Sequence, residues 1–177
     1  MVARRVTVPL SDARFDTVAG YVTASYPNAC VLWVDALENE ALEEAFSSRL
    51  VQMCQHSDSP VAEQLLFHGT SKKNVEPIVE MGFDSGLNER SAFGVGTYLA
   101  RDAAMSMRYA PPDTRGVQFM FICRALVGRM VQGITNMRLD DPCVVAVDSP
   151  SNPRIFVVPD GSMILPTFVV AFHPSSS

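Results

Sequence analysis

The stretch QLLFHGTSKKNVEPIVEMG, residues 64–82, changes character halfway along. Leu65, Leu66 and Phe67 run straight into His68, Gly69 and the hydroxyl residues Thr70 and Ser71, which predicts a buried strand ending on a histidine and a glycine. Asn74 then suits the cap of a short helix with Pro77 in its first turn. Val75, Ile78 and Val79 face inward on it, and Gly82 closes it. The unit is strand, turn, helix. A histidine at a strand end is commonly structural, so His68 takes its meaning from the surrounding sequence.

Residues 29–35, ACVLWVD, read as an earlier strand. Residues 41–53 read as a helix, because Leu42, Phe46, Leu50 and Met53 recur at helical spacing. After Gly82, residues 83–97 mix glycine with polar residues and predict a surface loop, followed by the short strand TYLA. Asp102 suits the N-cap of a helix AAMSMRYA, which PPD ends because proline excludes helix from the residue before it. The run VQFMFICRALVG is apolar at almost every position and predicts a central strand covered on both faces. Further strands follow at 144–147, at IFVV (155–158) and at TFVVAF (167–172), with Pro159 demanding a bend or an edge after IFVV. Strands dominate the C-terminal half and helices gather toward the N-terminal half. This predicts an α+β fold of two packed, mostly antiparallel sheets flanked by a few short helices.

The 177 residues suit one domain, placed at 1–174, with PSSS leaving a disordered tail at 175–177. A net charge of −5 argues against extended binding to a phosphate backbone, though a local basic patch can still hold one small anion. Cys30, Cys54, Cys123 and Cys143 lie far apart, as do the three histidines, which argues against a metal site. Three or four buried thiols in a reducing compartment is the expectation. No apolar run is long enough to span a bilayer and MVARRVTVPLSDARF has no signal-peptide core, so the expected location is intracellular, cytoplasmic or nuclear, without membrane contact.

Taken together, LLFHGT, GVGTYLA, AAMSMRYAPP and NPRIFVVPDGSMILPTFVV stand in the order and near the separations of a known family. The chain resembles the catalytic domain of poly(ADP-ribose) polymerases, closest to their mono-ADP-ribosyltransferase branch, over essentially its whole length. The resemblance implies cleavage of the nicotinamide–ribose bond of NAD, the co-substrate, and transfer of ADP-ribose to an acceptor, with no metal. It implies that His68 donates a hydrogen bond to a ribose hydroxyl of the adenosine half and that the backbone of Gly69 pairs with the nicotinamide carboxamide. A side chain at 69 would obstruct that approach. Tyr98 and Tyr109 would sandwich the nicotinamide ring, and Ser106, three residues before Tyr109, would reach the carboxamide by its hydroxyl. Arg90 is the basic residue assigned to the pyrophosphate.

Polymerising relatives carry a glutamate on the strand that here begins IFVV. Ile155 occupies that position and can neither accept a hydrogen bond nor take a proton. The resemblance therefore implies single-unit transfer, with protein Glu or Asp side chains favoured as acceptors. Automodification and a nucleic-acid terminus stay open. The loop from Asp84 to Phe93, which covers the NAD site in relatives, is a residue or two shorter here, and Val95 stands where lysine is frequent. Only 67 residues precede His68, accounted for by a strand, a helix and loops, so no autoinhibitory helical domain is expected. Among rival readings, Glu38-Asn39-Glu40 could be the Glu-x-Glu of another transferase class, but acidic residues at a helix start have a simpler explanation in the helix dipole. GVG lacks the third glycine of a dinucleotide-binding turn. The rival from a different class is a catalytically inactive protein of the same fold, serving as a binding or interaction module.

Overall fold

The structure, a computed structural model, describes residues 3–87 and 92–174. It is α+β, with nine strands in the order β1-β2-β9-β5-β3-β4-β8-β7-β6. The run read as a central strand is β5 (Gln118–Val127), paired antiparallel with β3 (Ala62–Thr70) on one side and β9 (Ile164–His173) on the other. Nine of its ten residues are buried, as its apolar sequence demands. The exception, Arg124, turns outward to the Glu63 carboxylate at 2.8 Å. β2 (Cys30–Glu38) and β1 (Arg4–Thr7) continue this half beyond β9. The other half holds β4 (Thr97–Ala100), β8 (Ile155–Val158), β7 (Val144–Val147) and β6 (Arg129–Gln132). Only β6 and β7 among these described pairings run parallel.

The expected pair of sheets is thus one hydrogen-bonded order that splits at a seam. β3 and β4 share a single register pair, Phe67↔Ala100, whereas β3 and β5 share nine. Past that rung the strands diverge, and their inner faces enclose the larger core. Phe121 and Leu66 from one half meet Phe156 and Val145 from the other, closed by Phe46 and Met53 of α2 (Glu40–His56) and by α3 (Val75–Met81). A fully buried phenylalanine such as Phe121 contributes about 2–3 kcal/mol of transfer free energy, so this core holds the halves together where hydrogen bonds do not.

Five expectations need correction. The segment before His68 holds a further strand, β1, and a further helix, α1 (Ala13–Thr23), capped by Asp12 and packing Phe15, Val18 and Val22 on the outer face of β2, β5 and β9. The helix read over AAMSMRYA is one turn, α4 (Ala103–Ser106), continued by a 3-10 turn at Met107–Tyr109. Asp102 stands at its N-cap position without capping it, because its carboxylate faces Arg101 and Arg154 at 3.7 and 3.8 Å. Likewise the Asn74 amide donates to Thr70 Oγ1 at 3.2 Å instead of capping α3. Of the cysteines only Cys123 and Cys143 are buried, and Cys30 and Cys54 are exposed free thiols. Pro159 follows β8, which lies between β4 and β7, so the bend reading holds and the edge reading does not. Asn39 caps α2 through Oδ1, 3.3 Å from Leu42 N, which gives Glu38-Asn39-Glu40 its structural role.

Candidate active site

Where the halves part, the C-terminal end of β3 opens into a cleft of about 880 Å³. His68, Gly69 and Thr70 form one wall, Tyr98 to Ala100 and Ile155 the other, and Ser106, Tyr109 and Pro111 a third side. The turn Lys72–Asn74 and α3 close the end beyond Thr70.

His68 is held on two sides. Its Nδ1 lies 2.8 Å from the Tyr98 carbonyl oxygen, so Nδ1 carries the proton and donates. Its ring meets Phe83 edge-on at 4.9 Å, and Phe83 in turn meets Phe121 at 6.0 Å. Burial lowers the imidazole pKa, against a smaller opposing effect of the Tyr98 carbonyl, so the neutral ring is favoured and Nε2 carries a lone pair. With Nδ1 engaged on the Tyr98 carbonyl, Nε2 is the ring nitrogen left for a ligand hydroxyl, and the neutral ring meets it as an acceptor.

Gly69 answers to packing more than to ligand access. A Cβ there would lie 2.0 Å from the Ser106 carbonyl oxygen and 3.2 Å from Ala110 N, so the turn carrying Ser106 and Tyr109 can sit against β3 only where there is no side chain. Ser106 is buried and its hydroxyl donates to the Phe67 carbonyl at 2.7 Å. The hydroxyl expected to serve a ligand therefore has its proton engaged within the protein, and its oxygen is left to accept.

The Tyr98 hydroxyl donates to the Gly94 carbonyl at 2.8 Å and accepts from Phe93 N at 3.0 Å, which ties the glycine loop to β4. Tyr109 lines the cleft from the 3-10 turn and is 38% exposed. Ile155 is half-buried at the start of β8, paired with Ala100. Asp84 supplies the one carboxylate among the described residues lining the cleft; it is exposed and accepts from Gly86 N at 2.9 Å. Arg90 lies outside the described residues, as does part of the loop from Asp84 to Phe93. The sequence reading missed Phe83, Lys73, Thr70 and Asn74 as wall residues. Three of these stand within six residues of His68, and proximity to the motif was their only signal. Among the described residues no group of His, Cys, Asp and Glu has the makings of a metal site.

A split, mostly antiparallel sheet whose seam presents a histidine, a backbone glycine and two tyrosines to one cleft has the architecture of the ADP-ribosyltransferase fold. The family model described as "Poly(ADP-ribose) polymerase catalytic domain" matches residues 13–163, and the chain belongs to that family. Protein mono-ADP-ribosyltransferase PARP12 of Mus musculus is 32% identical across 98% of this chain, and protein mono-ADP-ribosyltransferase PARP11 of Homo sapiens is 33% identical across 79% of it. The matches span 26% and 50% of those two proteins, so this chain corresponds to a part of each. A third relative, the probable inactive poly(ADP-ribose) polymerase SRO1 of Arabidopsis thaliana, is 32% identical across 59% of this chain and spans 20% of that protein.

Proposed function

We propose that residues 1–174 form a mono-ADP-ribosyltransferase catalytic domain that uses NAD as co-substrate and places one ADP-ribose unit on an acceptor, with protein Glu or Asp side chains as the favoured class. One observation carries this reading: Ile155 shares a cleft with His68 and Tyr98 on the wall where a polymerising enzyme needs a carboxylate. The residues present fit NAD by the chemistry of their donor set. Tyr98 and Tyr109 offer aromatic surface to a nicotinamide ring, and His68, Thr70 and Asn74 add polar groups along the cleft. Bound there, NAD supplies the ADP-ribosyl group and a neutral leaving group.

The chain's own contribution is positional, and holding groups rigidly can account for most of such a barrier. His68 Nε2, a lone-pair acceptor fixed through Nδ1, orients a hydroxyl. The Gly69 backbone and the Ser106 oxygen orient an amide. Ile155 offers no base at the acceptor side, so the acceptor must bring its own proton-accepting group, which favours a carboxylate. The exposed thiols of Cys30 and Cys54 fit a reducing compartment, cytoplasmic or nuclear.

The relative named as probably inactive favours one second reading, an inactive binding module of the same fold. Incubation with NAD and a mixture of protein acceptors, followed by sizing of the attached product, separates the readings. Single units with stoichiometric nicotinamide are expected. Polymer would overturn the mono-transferase reading, and no product with NAD-induced thermal stabilisation would favour the inactive module.

A further inference from the structure

The turn Lys72–Asn74 separates two clefts: Lys73 lines the one described above, and Lys72 lines a second, of about 350 Å³. The loop after Tyr109 serves both in the same way, with Pro111 on the first side and Arg115 on the second. We propose that this second cleft binds the 5′-phosphate and base of a nucleotide, through Arg115 and Lys72 for the phosphate and Leu32 with the edge of Trp33 for the base.

The cationic end is preorganised by backbone. Asp113 accepts from Arg115 N at 2.8 Å and from Val117 N at 3.0 Å, while Gly116 N donates to the Asp113 carbonyl at 2.9 Å, closing a tight turn that fixes where Arg115 leaves the chain. Gly116 takes φ of 77°, which a side chain would resist. The Arg115 guanidinium has no partner among the described residues. Lys72 sits 3.3 Å from the Asp113 carboxylate, which neutralises it in part and leaves Arg115 as the uncompensated charge. In a chain of net charge −5, an unpaired arginine beside a lysine at the mouth of a cleft is a local reversal of sign. A guanidinium fork and an ammonium together match the three terminal oxygens of a phosphate monoester better than the two of a carboxylate.

The rest of the cleft fits a nucleoside. His173 Nδ1 lies 3.1 Å from the Gly116 carbonyl oxygen and donates to it, so Nε2 is left to accept from a hydroxyl such as a ribose supplies. Trp33 is half-buried, packed on the buried Phe119 ring at 6.1 Å and carrying the Arg5 guanidinium at 5.2 Å, so a base meets the remaining part of its ring together with the exposed Leu32.

Trp33 is the chain's single tryptophan and lines this cleft, so its emission is a second readout of binding here. The test is calorimetric titration of the whole chain with AMP, adenosine, inorganic phosphate, phosphotyrosine and a short 5′-phosphorylated oligonucleotide, with Trp33 emission recorded alongside. Saturable AMP binding is expected, weakened about tenfold or more by Arg115→Ala and less by Lys72→Ala. It should be unchanged in the charge control Arg138→Ala and retained, with the Trp33 response, in His68→Ala. Equal affinity for AMP and the oligonucleotide would identify a strand end as an admissible source, and AMP alone a free nucleotide; both support the site. No saturable binding, an unaffected Arg115→Ala, loss in His68→Ala alone, or preference for phosphotyrosine would each overturn it.

Discussion

The two walls of the main cleft are built on opposite principles. The β3 wall is over-determined: nine register pairs with β5, a buried hydroxyl tied to the Phe67 carbonyl and a glycine pressed against the Ser106 backbone leave His68 no freedom. The β4–β8 wall hangs from one rung at Phe67↔Ala100 and presents an isoleucine. Binding groups need fixed geometry, and the rigid wall carries His68 and Gly69, with Tyr98 contributed from across the cleft. The plainer wall is where members of one family can differ in outcome, because a side chain there changes the chemistry without disturbing the fold.

The sharpest way to break this contrast is on the rigid wall. Gly69→Val drives carbon into a backbone carbonyl that cannot yield as a side-chain tip would, and it should destabilise by about 3 kcal/mol or more or prevent folding. An unchanged Tm by calorimetry would show that this wall is not tight. Ser106→Ala removes one buried hydrogen bond and should lose about 1–3 kcal/mol in urea denaturation, with a Tm lower by several degrees. A loss within error would place the wall's rigidity elsewhere.

Smaller still is a pH effect. His68 resists protonation when folded, so the unfolded chain binds more protons between its ordinary pKa of about 6.5 and the lower folded value. Stability that is complete above about pH 6.5 should decline as pH falls through that window. His68→Asn should remove that part of the slope, and an identical slope in the variant would show that the folded ring titrates freely. Least of all should change with Ile155→Glu on the other wall: a carboxylate alone supplies no site for a growing chain, so products should stay single units and the fold intact. Polymer from this variant would make Ile155 the sole determinant of outcome.

How much of this was legible follows from what each element depends on. β3, β5 and α2 declared themselves because an apolar run or a helical period is a local property of consecutive residues. β1 and β6, four residues each and mostly exposed or half-buried, carry no such period, and their strand state comes from a neighbour. α1 was readable in principle, since Phe15, Val18 and Val22 lie three and four apart behind the Asp12 cap. Asn74 and Asp102 hold the cap positions read for them, but their side chains answer to Thr70 and to two arginines, and that competition is invisible along the chain. At the site, His68, Tyr98, Ser106, Tyr109 and Ile155 were named from the resemblance of their motifs to a known family, and they share one cleft. What order and spacing could not convey was direction: the Nδ1 bond that turns His68 into an acceptor, and the Ser106 proton spent 39 residues away on Phe67.

The most direct measurement is the intact mass of the chain after incubation with NAD, beside His68→Ala, with free nicotinamide assayed in the same tube. The account predicts increments of one ADP-ribosyl unit with matching nicotinamide for the wild type and neither for the variant. Equal transfer by both proteins would contradict the assignment of the rigid wall as the binding wall, and extended series on single sites would contradict the role given to Ile155.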